Sequence, residues 1–558
     1  MNRLVWLLIL GSAAATAQVS GPLVSGPAHM AVSETIAVIA SQGRADAFGV
    51  QEIGRTRESN LRKDMQSGLQ GAKSDAVAAN VSVPANTPYA QTATYQPLGV
   101  ALGVSFEGLG LGTPGFVIGS IPPEPTIGVS PTQVVQWVNS VFAVYDKAGN
   151  RLLPAPGFLN SNAIWQGLPA NSLCRMSFGF NPVVQYDRVA QRWILSQTAF
   201  EDDFRRNSQC IAVSTTSNAL GSYALYDYNF GTSYPDDSRL GVWPNAYFWT
   251  YDTFEAGRLF TGARACAYDR AAMIAGLPAM QICFNDPQRN ALQPADLDGT
   301  NLPPAGAPNY LMSLDFGFPH SLELIKFAPD FITPANSTFD DGLGGGPFSA
   351  VAFRMDANSR SACNDGNPSG PLFNVYECVP QRGTTQPLFS FGDRLMSRLV
   401  YRNFGTHDAL LFTQAIDDSA GNNAHLRWWE IRRPGAALPE VYQNSTYRPT
   451  NEARWSGSAA FDKLGNIAIG YSVSSASIYP SIRIAGRRKS DPKNLLRAEV
   501  SVKTGTGSQT RNSAWRDSTM QIDPSDDCTF WYTQEYIFTT GDANWATRIA
   551  SFKFPNCN

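Results

Sequence analysis

A short phrase recurs along this chain: an apolar strand, an aspartate, then a second strand rich in aromatic residues. It reads Val183-Val184-Gln185-Tyr186-Asp187 before Arg192-Trp193-Ile194-Leu195, and Ala459-Ala460-Phe461-Asp462 before Ile467-Ala468-Ile469-Gly470-Tyr471. It returns as Met520-Gln521-Ile522-Asp523 before Cys528-Thr529-Phe530-Trp531-Tyr532. A fourth copy lies in Val134 to Val138 and Val141 to Tyr145, closed by Asp146-Lys147-Ala148-Gly149-Asn150. The aspartate can hydrogen-bond its own backbone two residues on, so each copy predicts a strand, a tight turn and a strand.

A chain built from such units has many strand edges to hide. Radial repetition hides them, because the ring closes on itself. From about residue 95 to the end, blades of roughly 65 residues give about seven of them. The expectation is an all-β protein with a single β-propeller of about seven four-stranded blades over 93–558; tandem β-sandwiches are the alternative. Ile549 to Phe554 alternates as a terminal strand should, placed to close the ring.

Composition agrees with one β-rich unit: 16% of residues are charged, against 47 Gly, 37 Pro, 31 Phe, 20 Tyr and 12 Trp in 558. The net charge of −3 and the shortness of basic runs such as Arg487-Arg488-Lys489 leave no footprint for nucleic acid or for an anionic membrane.

The N-terminus points to export. Arg3, the apolar run Leu4 to Leu10 and the small-residue site Ala15-Thr16-Ala17 read as a signal peptide over 1–17, too short to insert in a membrane. Residues 18–92 read as a flexible extension or removable pro-segment, in which Ser33-Glu34 can open a short helix through Ile39. Secretion to a periplasmic or extracellular location follows. Eight cysteines in an exported chain predict disulfides. Neighbour pairing is expected: Cys174 with Cys210, Cys266 with Cys283, Cys363 with Cys378, and Cys528 with Cys557. Metal binding would want Cys-x-x-Cys or Cys/His spacing, which the sequence lacks.

Several stretches carry a resemblance: Ile127-Gly128-Val129-Ser130-Pro131, Leu240-Gly241-Val242-Trp243-Pro244, Pro294-Ala295-Asp296-Leu297-Asp298-Gly299, Gly392-Asp393-Arg394-Leu395-Met396 and Asp526-Asp527-Cys528-Thr529-Phe530-Trp531-Tyr532. From about Pro122 to the end the chain resembles a family of exported bacterial β-propeller-like proteins without an established activity. The resemblance implies fold and compartment, and carries no catalytic residue across.

Short catalytic motifs are few. There is no His-Glu-x-x-His helix, no Gly-x-Ser-x-Gly elbow and no phosphate loop. Gly110-Leu111-Gly112-Thr113-Pro114-Gly115 fits Gly-x-Gly-x-x-Gly, but Pro114 and the absence of a following helix make it a linker. Asp296 and Asp298 sit in an oxygen-rich stretch that could hold a structural calcium; solvated turn acids are the plainer reading. Asp236-Asp237 and Asp526-Asp527 likewise read as exposed turns.

Four histidines are present, and His407 is the one closest to other chemistry-bearing residues. Arg394, Arg398 and Arg402 share one face if their segment is extended, a face able to grip an anion or to lie solvated on an outer strand. Glu535 and Glu430 lie among aromatics, where a carboxyl is raised.

Two functions follow. One is a secreted binding or surface-interaction protein on a propeller platform, its partner an extracellular glycan or protein. The other is a secreted glycoside hydrolase or polysaccharide lyase, in which Asp393, Arg394, His407 and Glu535 meet in the central funnel.

Overall fold

A computed structural model describes residues 21–42, 79–81, 90–177, 179–314, 321–354, 360–363, 377–417, 423–436, 439–511, 514–516 and 518–558. The expected signal peptide at 1–17 lies outside them. Seven blades follow one another in chain order, each a meander whose first strand is innermost, with a small ladder of Glu377–Val379 and Leu388–Phe389 between blades 4 and 5. These first strands are Thr126–Val129, Phe180–Asp187, Ser233–Val242, Gln293–Asp298, Leu399–Asn403, Ala453–Phe461 and Thr519–Ile522, in blades 1 to 7. The first strand of blade 7 packs against that of blade 1, which closes the circle. The protein is a seven-bladed β-propeller, as the repeat predicts. On the axis the first strands of blades 4 and 5 also pair in parallel, Ala295 opposite Leu399 through Asp298 opposite Arg402.

The near-continuous apolar strands follow from this architecture, because each blade is covered on both faces. Alternate residues serve opposite neighbours. In blade 2, Leu195 packs toward Trp137 and Val144 of blade 1, while Ile194 packs toward Tyr247 and Trp249 of blade 3. In blade 5, Trp429 joins the core shared with blades 3 and 4, and Trp428 the core shared with blade 6. Every tryptophan among the described residues is buried.

Three of the four repeat copies occupy equivalent hairpins. Asp187 accepts from the N–H groups of Val189 and Ala190, Asp462 from those of Leu464 and Asn466, and Asp523 from that of Ser525. Asp146 makes the same kind of turn with Ala148 and Asn150, but after the third strand of its blade, two hairpins further out. The equivalent place in blade 1 belongs to Ser130, whose Oγ accepts from Thr132 and Gln133.

Closure is shared between the two ends of the chain. Trp545–Lys553 is the third strand of blade 7, and Ala101–Gly110, from before blade 1, supplies the fourth. This strand has to be glycine-rich: a Cβ at Gly108 would lie 2.4 Å from Thr547 Oγ1, and one at Gly110 2.5 Å from Ala546 Cα.

The described part of 18–92 departs from a free extension. Leu23–Ser25 adds a fifth, antiparallel strand to blade 3, and His29–Val32 does so for blade 2. Ala79–Val81 and Ala90–Gln91 pair in parallel with the outer strands of blades 4 and 5. The short helix is Ile36–Ser41, capped by Thr35, and it buries Ile36 and Ile39 against blades 1 and 2. Its apolar face is only two residues wide, yet the propeller offers an unfilled flank for it. Each added strand covers a sheet edge.

The four disulfides pair as the spacing predicts: Cys174–Cys210, Cys266–Cys283, Cys363–Cys378 and Cys528–Cys557. They mark a chain that folds in an oxidising compartment. Among the described residues, no helix is long and apolar enough to cross a membrane.

Candidate functional site

All seven first strands run the same way along the axis, so their starts gather at one mouth of the ring. There the backbone does something unusual. Asn181, Asp237 and Ser456 each adopt a positive φ, of 52°, 53° and 49°, and each coincides with a slip in register between the first and second strands of its blade. These are β-bulges, which turn a side chain out of the ladder's alternation. Glu124 (φ 51°) and Ala291 (φ 44°) occupy the corresponding places before the first strands of blades 1 and 4. The ring thus presents a circle of re-aimed residues around its axis.

The mouth opens into a cleft of about 590 Å³, open solvent included, lined by Glu124, Asn181, Asp237, Arg239, Arg398 and Arg516 among others. Asp237 is its electrostatic centre. One carboxylate oxygen receives Arg239 Nη2 at 2.6 Å and Arg516 Nη1 at 3.2 Å; the other receives Arg394 Nη1 at 2.7 Å. Arg516 also reaches Glu124 at 2.5 Å, and Arg394 forks onto Asp393 at 2.8 and 3.1 Å. Three guanidinium groups and three carboxylates therefore interlock at the mouth, from blades 1, 3 and 7 and the segment entering blade 5. Charge-assisted pairs of this kind hold their geometry without a ligand.

Behind this cluster lies Asp252, 1% exposed. One of its oxygens accepts from Ala291 N–H at 2.6 Å; the other has no hydrogen-bond partner and stands 4.0 Å from Arg394 Nη1. Burial pushes the Asp252 carboxyl up to about 7, with Arg394 pulling against it and the charges of Asp237 and Asp236 adding to it. A carboxyl raised on folding favours the native state most at low pH, and that advantage is lost as pH rises through about 7. Asp252→Asn is expected to flatten the pH dependence of stability between about 4 and 7 and to raise Tm above pH 7, read by thermal unfolding across pH. Parallel profiles for the two proteins would show that Asp252 is already ionised.

Deeper in, Arg398 plugs the axis. Its Nε meets Asp296 at 2.5 Å, its Nη2 meets Asp298 at 2.9 Å, and Nη1 donates to Met520 O at 2.9 Å. Gln185 donates to Asp296 at 2.6 Å and accepts from Gln521 at 2.8 Å. At the opposite mouth Arg188 reaches Asp298 at 3.1 Å, and Arg402 pairs with Asp527.

The structure thus distributes the expected residues as follows. Arg394, Arg398 and Arg402 do face one way, toward the axis, and are buried rather than solvated, with 4–5% exposure. Each is neutralised by aspartate, so the row offers no unopposed positive face. Asp296 and Asp298 are buried against Arg398 and Arg188 and are not solvated turn acids. A calcium ion would have to displace those guanidinium groups, and no group of metal-ligating side chains is found among the described residues.

Asp393 and Arg394 pair directly, whereas Glu535 is tied to the cluster only through Arg516, whose backbone N–H it accepts at 2.9 Å. His407 does not join them. It precedes Asp408–Asp417, in which Gln414 bridges Leu395 beside Arg394. Six residues of strand thus put it roughly 20 Å away, toward the other mouth. Glu430 and its neighbour Trp429 are both buried, which leaves no platform for a sugar ring.

Asp237, read as an exposed turn acid, is 5% exposed and central. It was missed along with Glu124, Asn181 and Arg516 because aspartate pairs usually do mark turns. A signal was present: aligning the repeats by their first strands sets Asp237-Ser238-Arg239-Leu240 over Met396-Ser397-Arg398-Leu399 and Ser456-Gly457-Ser458-Ala459.

No family model matches the chain, and no curated protein matches it in sequence. Solved structures similar to it share its fold class only distantly. They include the Penicillium chrysogenum alpha-L-arabinanase complexed with arabinobiose (7% identity, TM-score 0.34, covering 82% of this chain and all of that one). A protein of unknown function from Dyadobacter fermentans matches at 10% identity and TM-score 0.34, over 67% of this chain and 95% of that one. The Dos1 propeller matches at 9% identity and TM-score 0.33, over 76% of each chain.

Proposed function

We propose that this protein is a secreted binding protein that takes a neutral, polyhydroxylated ligand, a glycan, at the axial mouth around Asp237. The observation that carries the reading is the balance of charge there. The cleft is lined by the carboxylates of Glu124 and Asp237 and by Arg239, Arg398 and Arg516, each guanidinium already paired with a carboxylate, so a bare anion or cation would have to displace an existing pair. A sugar hydroxyl both donates and accepts, and vicinal hydroxyls match a carboxylate next to a guanidinium. Among the described residues no aromatic ring lines the cleft, so recognition rests on hydrogen bonds rather than on stacking.

Hydrolysis is the second reading. Asp252, raised toward neutrality beside Asp237, is the kind of carboxyl an acid catalyst needs. It lies behind Arg394 and does not line the cleft, which favours binding.

The test is calorimetry of the mature protein against neutral and acidic oligosaccharides, with assay of reducing-end release. Binding of at least one neutral oligosaccharide is expected, weakened at least about tenfold by Arg516→Met, with no product. Affinity unchanged in Arg516→Met would remove the mouth as the site, and reproducible product release would replace binding by hydrolysis.

A further inference from the structure

A second charged cluster, separate from the axial mouth, lies where blades 5 and 6 meet at the opposite end of the ring. Its parts come from four segments: His407 from the hairpin before Asp408–Asp417, Arg432 from the end of His425–Arg432, Tyr442 from Glu440–Tyr447, and Arg487, Lys489 and Lys493 from the end of Ile478–Arg487 and the turn beyond it. The Tyr442 ring gathers two of the cations, Arg432 at 3.2 Å and Lys493 at 3.5 Å from its centroid. Phe404 stacks on His407 at 5.0 Å, and Phe404 and Lys489 both abut Gly465.

The acids nearby are already engaged. Glu430 takes Arg432 at 2.6 Å and Gln443 on its other oxygen. Asp491 is held by both arms of Arg497, at 2.6 and 2.7 Å, and Asp408 accepts from Tyr401. Arg487, Lys489 and Lys493 have no carboxylate within 4 Å among the described residues. Two buried nitrogens are left over. Arg487 is 3% exposed and spends Nη2 on the carbonyls of Asp491 and Pro492, while its Nε has no partner. His407 Nε2 is also buried and without a partner.

Like charges held together at partial burial repel one another, and a buried N–H left unpaired is costly. A single group can relieve both: a negative one with several acceptor oxygens. We propose that this blade 5–blade 6 cluster binds an oxyanion of the sulfate or phosphate class, met by Arg487, Lys489, Lys493 and His407. Burial together with the positive charges of Arg432 and Lys489 keeps His407 below its ordinary pKa, against the opposing pull of the Glu430 and Asp408 carboxylates. The site is independent of the axial mouth and of what binds there.

Two probes separate the sources of the anion: inorganic sulfate, and a heparin oligosaccharide as polymer-borne sulfate, each compared with sodium chloride at matched ionic strength. Sulfate in either form is expected to raise Tm beyond chloride and to raise the His407 pKa read by NMR. The doubly substituted Lys489→Ala/Lys493→Ala protein, altered only at exposed positions, is expected to bind at least about tenfold more weakly. Arg487→Gln is expected to do the same where it folds. Stabilisation by inorganic sulfate points to a free ion, and stabilisation by heparin alone to a sulfated polymer. Equal effects of sulfate and chloride, or sulfate binding intact in the double variant, would overturn the assignment.

Discussion

Gln136→Leu is expected to destabilise the protein by about 2–4 kcal/mol, although leucine is close in size. Gln136 sits in the second strand of blade 1, with 0% exposure, and joins the first blade to the last. Its Oε1 accepts from Leu109 N–H at 2.7 Å in the closing strand; its Nε2 donates to Thr533 Oγ1 at 2.9 Å and Thr547 Oγ1 at 3.0 Å in blade 7. Both hydroxyl protons are already given to the carbonyls of Arg548 and Leu109, so no rearrangement replaces the lost amide. Leucine leaves a buried N–H and two buried acceptors unpaired at the seam where the ring is held shut. Denaturant unfolding reads the cost. A loss below about 0.5 kcal/mol would mean that the seam is held by apolar packing alone.

Arg398→Met is expected to cost about 3–5 kcal/mol near neutral pH, the second large effect. The substitution removes the counter-ion of Asp296 and one of the two on Asp298, leaving both carboxylates at about 1% exposure. The pH dependence gives the claim a sign. Burial pulls Asp298 up, but the charges of Arg398 and Arg188 outweigh it and hold the carboxyl below its ordinary range. A depressed carboxyl stabilises the native state above its unfolded pKa of about 3.9, and that contribution is lost as pH falls through the folded value. Without Arg398 the contribution shrinks, and protonation then relieves the variant. Its deficit relative to wild type should therefore narrow between pH 7 and pH 4. A deficit constant across that range would assign the loss to packing of the arginine stem rather than to charge.

The parts of this protein that local chemistry dictates were legible in the sequence. The turns at Asp187, Asp462 and Asp523 form because an aspartate oxygen finds its own backbone, and that needs no distant partner. Disulfide pairing followed from spacing for the same reason. What escaped was whatever depends on closure of the ring. The Asp146 turn copies the local phrase at a different hairpin, and only the sheet order shows that Ser130 takes the equivalent place.

The strand Ala101–Gly110 reads poorly because two of its glycines are dictated by residues more than 400 positions away. The arginine row shows the same limit. Its common face could be read from spacing, but whether that face meets water or the axis could not, since Asp237, Asp296 and Asp527 come from three other blades. The mouth is hardest to read, because several blades each bring only a part of it and the meaning lies in their sum.

The axial mouth as a glycan site is tested most directly by a crystal structure of the mature protein with an oligosaccharide that binds it in solution. The expected result is sugar hydroxyls within hydrogen-bond distance of Asp237, Glu124 and Arg516, with Arg398 still closing the axis behind them. Sugar seated on the outer strands or at the opposite mouth, with the Asp237 cluster untouched, would contradict the account.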